Sequence, residues 1–264
     1  MVQLKRHISI FFLQFQEVIE DRGRIFVWTL LAMISPLVYM LFWRGTKGVA
    51  GWSVDEIISY YLLAIVMYAA VMSHQEEHIA TIDIQEGGLT AYLLKPFPYV
   101  RFLFFNEASY RVLQGLLGVF MLACFAFLFP GIFIFTNHVD IFLLSVLSMF
   151  FAFLITFVFK TAIGLLAFWM TEMRGIFEPI NFVLIVFAGL LMPLAFLPHW
   201  LESIAYLTPF AYMIYFPVLA FEGKLTMLQL LSVLGMQLVW ISILFCLYKI
   251  LWRAGLKQYT AVGQ

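Results

Sequence analysis

Charged side chains are scarce in this sequence. Of its 264 residues, only 11% are Asp, Glu, Lys or Arg, whereas 64% are apolar and 19% are aromatic. Soluble domains average about 25% charged and about 45–50% apolar residues. A water-soluble fold of this length could not bury so much apolar surface. The composition therefore predicts an integral membrane protein.

The few charges show no excess of either sign. Fifteen Lys and Arg balance fifteen Asp and Glu, so the net charge is zero. A nucleic-acid-binding protein would present a basic patch or stripe, and this balance argues against one. Cysteine is scarce too, and both Cys124 and Cys246 lie inside apolar runs. They predict neither a disulfide framework nor a CxxC metal site.

A phosphate-binding loop is also missing, because neither GxxxxGK[ST] nor GxGxxG occurs in the sequence. If the protein performs uphill transport, its ATPase must be another chain. Ion-coupled carriers bury ionisable residues in their spans, and the apolar runs are nearly free of them. Lys160 is the main exception. We interpret it as snorkelling toward the cytosol, with a salt bridge to Glu172 or Glu178, or a place lining the pathway, as the alternative.

Long charge-free runs cover most of the chain. About 20 helical residues cross a hydrocarbon core of about 30 Å. The runs are apolar on all sides, which favours helices over the alternating pattern of membrane strands. Seven runs of at least 19 residues lack Asp, Glu, Lys and Arg: 25–43, 57–75, 112–139, 141–159, 179–201, 203–221 and 225–248.

One of these runs, 203–221, contains Pro209 and Pro217 and follows Pro193 and Pro198 closely. Internal prolines break helical hydrogen bonding, which lipid tolerates only where protein or water covers the break. We therefore interpret this run as a re-entrant or interfacial helical pair rather than a span.

The other six runs predict six spans within one transmembrane domain, 1–264. Cytoplasmic loops are enriched in Lys and Arg. Six spans place twelve of these residues inside and three outside, whereas seven spans give ten and five. We therefore expect a multi-pass protein of the plasma (inner) membrane with both termini in the cytosol. The expected spans are about 25–43, 57–75, 112–130, 141–168, 179–197 and 227–248.

The first 24 residues predict an amphipathic helix along the inner membrane face rather than a signal peptide. Apolar side chains recur at helical spacing between polar ones. They are Leu4, Ile8, Phe11, Phe12, Phe15 and Ile19.

A short zinc-peptidase pattern, H-x-x-E-H, occurs at His74–His78. Two histidines four residues apart share one helical face, which suits zinc with a glutamate as base. No third ligand is supported by the sequence. A membrane zinc peptidase is therefore a remote alternative, and we expect no metal.

The loop after the second predicted span carries the first family signature. Residues 84–96 read Ile-Gln-Glu-Gly-Gly-Leu-Thr-Ala-Tyr-Leu-Leu-Lys-Pro. The glycines predict the start of a short helix and the proline its end. Its apolar face can dock into a groove of a partner. The residues expected to form it are Gly87, Gly88, Leu89, Tyr92, Leu93 and Pro96, with Leu89, Tyr92 and Leu93 on the apolar face.

This loop resembles the first cytoplasmic loop of type-2 ABC exporter permeases, although Thr90 stands where the family often has an acid. The segment 192–201 resembles the family's signature after the fifth span, where a re-entrant hairpin faces outside. The residues expected in this hairpin are Pro193, Pro198 and Trp200 within that segment, and Pro209 and Tyr212 after it. Further matches point to a branch of small, paired six-span permeases: Gly51–Trp52 before Tyr60–Tyr61, and Gly255–Tyr259 with Val262 and Gly263.

The resemblance implies the non-catalytic membrane half of an ABC exporter. Two permease chains, identical or related, would form the pathway in the lipid bilayer. Two ABC ATPase subunits would bind ATP and magnesium and receive the loop helix, so this chain itself needs no cofactor. A secondary carrier or channel is the alternative. The scarcity of buried charge and the lack of a broken-helix pair in corresponding halves weigh against it.

Overall fold

The computed structural model describes Phe12, Phe15, Gln16 and residues 22–259. These residues form helices joined by loops. The single pairing of extended backbone found among them is an isolated bridge between Val49 and Trp52. The predicted all-helical class is confirmed. The predicted interfacial helix, 1–24, falls almost entirely outside the described residues.

Several α-helices and shorter helical turns follow one another along the described chain. The α-helices are α1 (Arg22–Arg44), α2 (Val54–Val71), α3 (Glu76–His78), α4 (Leu89–Leu93), α5 (Tyr99–Leu128), α6 (Val139–Gly164), α7 (Arg174–Phe187), α8 (His199–Tyr206), α9 (Tyr215–Phe221) and α10 (Met227–Gln258). A π-helix, Ile79–Gln85, follows α3, and 3₁₀ turns cover Leu165–Phe168, Leu194–Phe196 and Phe210–Tyr212.

Capping boxes fix where two of the long helices begin. Ser53 accepts a hydrogen bond from the N–H of Glu56 and so starts α2, while the Glu56 side chain accepts one from the N–H of Ser53. Thr226 and Gln229 do the same for α10. Each box satisfies backbone donors that the first helical turn leaves without partners.

Among the described residues, four helical stretches are long and apolar enough to cross a membrane. They are Val54–Gln85, Tyr99–Leu128, Val139–Phe168 and Met227–Gln258. A fifth is obtained if α8 and Phe210–Phe221, bent by 73° to each other, count as one span. The chain is therefore a multi-pass membrane protein, but six spans are not confirmed by this count.

The fifth predicted span, 179–197, coincides with a shorter element. Helix α7 has only 14 residues and ends in a Schellman motif. Gly189 has a φ of +80°. Its N–H donates to the carbonyl of Val186, and the N–H of Leu190 donates to the carbonyl of Ile185. A left-handed residue stops a helix whatever the apolarity of the residues that follow.

The long helices carry the loops to two ends of the molecule. At the first, which we call the loop end, the Tyr259 hydroxyl donates to the carbonyl of Gly87 at 3.0 Å. The Trp252 ring stacks on that of Tyr99 with centroids 5.3 Å apart. The Phe168 ring contacts that of Tyr259 at 6.0 Å. The C-terminal end of α10 therefore lies beside the segment 84–99.

The opposite end, which we call the hairpin end, holds the start of α2. There the Tyr60 hydroxyl donates to the carbonyl of Gly189 at 2.9 Å. The Phe196 ring lies 5.5 Å from that of Trp52. Between the two ends, α6 packs mainly on α10 and α2 mainly on α5.

Candidate functional site

The loop 84–96 forms the turn that the glycines and the proline predict. Gly87 has a φ of +84°. A Cβ on Gly88 would lie 2.8 Å from the carbonyl oxygen of Ile82. Both positions therefore require glycine, and they place the start of α4 directly after the π-helix. Pro96 follows the end of α4 by three residues.

The side chains of α4 face in two directions, one toward the interior of this chain and the other outward. Leu89 is fully buried, whereas Leu93 and Leu94 are 45% and 82% exposed. The predicted apolar face of Leu89, Tyr92 and Leu93 needs correction at Leu89 alone, because Leu89 packs into this chain itself. The apolar surface that faces outward is formed by Leu93 and Leu94.

Thr90 ties the same helix to the end of α10. Its hydroxyl lies 2.9 Å from the Tyr259 hydroxyl, which donates to the carbonyl of Gly87. The position where the family often carries an acid thus makes a neutral hydrogen bond within the chain. This bond couples α4 to α10.

The helix that leads to the loop is broken inside an apolar span. Residues 72–75, between α2 and α3, are not helical, and Met72 is extended with φ −78° and ψ 107°. Backbone groups freed at membrane depth must bond to protein. Neighbouring side chains supply these bonds and hold the break in place. Thr156 donates to the carbonyl of Val71, and Glu107 accepts from the N–H of His74 at 3.3 Å. The Gln75 side chain, which belongs to the break, donates to the carbonyl of Phe157 on α6 at 3.2 Å.

A buried ion pair follows the break directly. Glu76 Oε1 lies 2.5 Å from Lys160 Nζ, with the two side chains 8% and 3% exposed. Lys160 also donates to Asn181 Oδ1 at 2.7 Å. The pair therefore joins α3, α6 and α7.

The snorkelling interpretation of Lys160 is therefore wrong. Its ammonium group lies among helices, and its carboxylate partner is Glu76, whereas the sequence suggested Glu172 or Glu178. A desolvated charge must be paired, and Glu76 is the acid brought to the same depth.

A second ion pair supports the same region. Arg111 Nε lies 2.8 Å from Glu107 Oε1, and both residues are buried. Arg111 also donates to the carbonyl of Ala69 at 3.1 Å, just before the break.

Sequence reasoning missed these pairs because the charges stand at the borders of the apolar runs. Glu76 directly follows the run 57–75, Arg111 directly precedes 112–139, and Lys160 directly follows 141–159. The order of the predicted spans could have indicated these pairs, because antiparallel spans place these three borders at the same end of the bundle.

The zinc-peptidase pattern is not built as a metal site. His74 lies in the break rather than on a helix, and its Nε2 is 3.1 Å from the Tyr68 hydroxyl. His78 Nε2 is 3.8 Å from Asp83 Oδ1. Within the part of the chain that the structure describes, no three His, Cys, Asp or Glu residues could hold a metal ion.

The hairpin residues lie where the prolines predict turns. Pro193, Pro198 and Pro209 each directly precede a helical turn, where the missing N–H costs nothing. Trp200 is exposed and Tyr212 is buried. The Tyr212 carbonyl accepts from the Gln237 amide at 2.9 Å. Since Gln237 is 11 residues into α10, the hairpin reaches into the bundle.

Charged groups fix the hairpin at its return. Lys224 Nζ lies 3.3 Å from Glu222 Oε2 and 3.5 Å from Glu56 Oε1. The same ammonium lies 3.1 Å from the centroid of the Trp52 ring. Burial raises the pKa of Glu222 to about 7, against the lowering effect of Lys224.

A comparison with known families decides the identity. A family model described as ABC-2 family transporter protein matches residues 27–263. The chain belongs to the ABC-2 transporter family. It is accordingly a permease, the non-catalytic transmembrane component of an ABC transporter. A search of curated proteins gives no match.

The buried pair of this ABC-2 permease predicts a non-additive response to mutation. Lys160→Met should destabilise the protein by about 3–5 kcal/mol, because it leaves the Glu76 carboxylate buried and unpaired. The double variant Glu76→Gln with Lys160→Met should recover most of that loss. Thermal unfolding of the detergent-purified protein measures it, with the exposed Lys257→Met as control. A double variant as unstable as Lys160→Met would contradict the pairing.

Glu222 predicts a pH dependence of stability. Between its ordinary pKa of 4.5 and about 7, the folded permease holds a proton that the unfolded chain has released. The free energy of unfolding should therefore fall as pH rises through this window and level off above it. We expect the thermal midpoint of the wild type to drop more from pH 5 to pH 8 than that of Glu222→Gln. The exposed Glu178→Gln, as control, should follow the wild type. Equal slopes for the wild type and Glu222→Gln would refute this assignment.

Proposed function

We propose that this ABC-2 permease is the pathway-forming subunit of an ATP-driven exporter and that separate ATPase subunits power it. The loop 84–96 carries the proposal. It presents exposed Leu93 and Leu94 at one end of a membrane domain whose sequence has no phosphate-binding loop. An outward apolar surface outside the spans suits a partner protein. ATP and magnesium bind to that partner.

We propose that the chain crosses the membrane six times. Helix α7 begins six residues after Phe168, at the loop end, and stops beside Gly189, at the hairpin end. It thus passes between the ends although its helical part is short. Helix α1 supplies the first crossing, since Arg44 at its end lies 5.5 Å from the Phe129 ring, beyond the far end of α5.

The hairpin does not add a crossing in this proposal. It starts at the hairpin end, where Phe196 contacts Trp52, and returns there, where the N–H of Thr136 donates to the carbonyl of Phe221 at 2.9 Å. An even number of crossings puts both termini on the side of the loop. The excess of Lys and Arg at that side makes it the cytosolic one.

A second permease chain, identical or related, completes the pathway in this proposal, as the family resemblance implies. Lipid covers the remaining apolar surface. Side chains such as Phe127, which is 85% exposed, suit that contact. The substrate is not assigned.

Movement of the loop is transmitted to the membrane-spanning helices through the broken helix. The π-helix and the bend at residues 86–88 separate α4 from α3, whose Glu76 pairs with Lys160. When ATP draws two ATPase subunits together, they displace α4. The displacement reaches α6 and α7 through that pair and reaches α10 through Thr90 and Tyr259.

A secondary carrier is the second candidate, because carriers use buried ionisable residues. The pairs Glu76–Lys160 and Glu107–Arg111 are of this kind. Each acid is matched by a base, however, so neither pair provides a lone buried group for coupling to protons or sodium.

The loop surface predicts an interface variant. A fully buried leucine is worth about 1.5–3 kcal/mol, so Leu94→Asp should weaken ATPase binding about tenfold or more. Because Leu94 is exposed, membrane insertion and thermal stability should stay normal. Co-purification of the ATPase subunit and ATP turnover of the complex measure the effect. Leu94→Met, which keeps the apolar surface, is the matched control.

Normal co-purification and turnover of Leu94→Asp would show that this loop does not contact the ATPase. Transport that persists after ATP depletion but stops with an ionophore would favour the carrier instead. Leu89→Asp is no substitute for Leu94→Asp, because Leu89 is buried and its replacement would damage the loop itself.

A further inference from the structure

A cleft of about 490 Å³ opens at the loop end between the segment 92–100 and the last turns of α10. The loop segment supplies one wall, including Tyr92, Leu93 and Lys95. Helix α10 supplies the other, with Tyr248, Trp252 and Leu256 at every fourth position. Residues four apart share one face of a helix, so α10 presents a continuous apolar stripe to the cleft.

Stacked aromatic rings form the body of this cleft. Tyr99 and Trp252 stack across it at 5.3 Å, and Tyr92 lies 5.4 Å from Tyr99. The Lys95 ammonium lies 4.6 Å from the centroid of the Tyr92 ring. The stacked rings connect the loop wall to the α10 wall at the base of the cleft.

The border of the cleft on α10 is basic. Lys249, Arg253 and Lys257 are exposed and again four residues apart, next to the apolar stripe. The last acidic residue of the sequence is Glu222, so α10 has no carboxylate to neutralise them. An apolar cleft bordered by cations is complementary to an apolar side chain flanked by carboxylates.

We propose that this cleft is a second contact site for the ATPase subunit, one that accepts an apolar or aromatic side chain from an acidic surface of that subunit. The inference rests on the proposed function. Leu93 lines the cleft and is also exposed beside Leu94. The cleft is therefore continuous with the outward surface of α4. One surface of the partner contacts both the cleft and α4, and it therefore binds α10 as well as the loop.

This second contact changes how movement enters the membrane. Trp252 contacts Phe168 at 6.4 Å, and Phe168 ends the span Val139–Phe168. A partner seated in the cleft thus acts on α10 directly and on the end of the span Val139–Phe168 through Trp252. The Glu76–Lys160 pair then need not carry the whole displacement.

The competing occupant is the bilayer. Basic and aromatic residues also mark the cytosolic border of a membrane. The continuity of the cleft with the exposed Leu93 and Leu94 favours a protein. An experiment that identifies the molecule next to the cleft distinguishes a protein partner from the bilayer.

A photo-crosslinking amino acid placed at Leu94, Leu256 or Leu228 gives this identity. Leu94 reports on the loop, Leu256 on the cleft, and Leu228, exposed at the start of α10, is the control at the opposite end. The permease is irradiated in membranes as the complex with its ATPase, and adducts are identified by peptide mass. We expect adducts at Leu94 and Leu256 with one chain that carries a P-loop ATPase motif, and none of that chain at Leu228.

Charge reversal tests the chemistry of the border. Arg253→Glu with Lys257→Glu should lower the Leu256 adduct about tenfold or more, since like charges then face each other. Arg253→Lys with Lys257→Arg should leave it unchanged. An adduct that is insensitive to the reversal would overturn the assignment of an acidic partner.

The remaining outcomes distinguish the two proposals. ATPase adducts at Leu94 without any at Leu256 would overturn the second contact and leave the proposed function standing. Lipid adducts at Leu256 would overturn it in favour of the membrane surface. The absence of ATPase adducts at both positions would contradict the proposed function as well.

Discussion

Polar groups buried among packed helices must find partners within the protein, and the break at residues 72–75 imposes this requirement on the helices beside it. Thr156 on α6 and Glu107 on α5 satisfy its backbone. The Glu76–Lys160 pair, with Asn181, joins α3, α6 and α7. The Glu107–Arg111 pair lies within α5 and bonds to the backbone of Ala69 and His74. Removing a single member would leave a buried polar group without a partner. The break, its side-chain bonds and the arrangement of the bundle therefore depend on one another.

The sequence was sufficient for the class of protein and for most helix positions, because lipid requires long apolar helices. It was insufficient where the conformation of one residue sets the end of a helix. Gly189 is such a residue, because it ends α7 before the end of the predicted span 179–197. It also failed at the helix borders. Glu76 and Lys160 each adjoin an apolar run, and only the packed bundle shows that they face each other rather than the cytosol.

The loop 84–96 illustrates the same limit at the candidate site. Its glycine and proline positions determine a turn that sequence can predict, because backbone conformations determine it locally. Which side of α4 faces outward depends on its packing beneath the π-helix and on the bond between Thr90 and Tyr259. Helical periodicity does not contain that information, and it therefore does not distinguish the buried Leu89 from the exposed Leu94.

The proposed arrangement has two ends with different roles: a hairpin that returns to its own side, and a cytosolic end that meets the ATPase. Labelling of single cysteines with a membrane-impermeant maleimide tests this most directly, after Cys124 and Cys246 are replaced by serine. We predict that His199→Cys and Thr226→Cys, which flank the hairpin, both label in intact cells. Lys257→Cys should label only after permeabilisation. Labelling of His199→Cys and Thr226→Cys from opposite sides, or of Lys257→Cys from outside, would contradict the account.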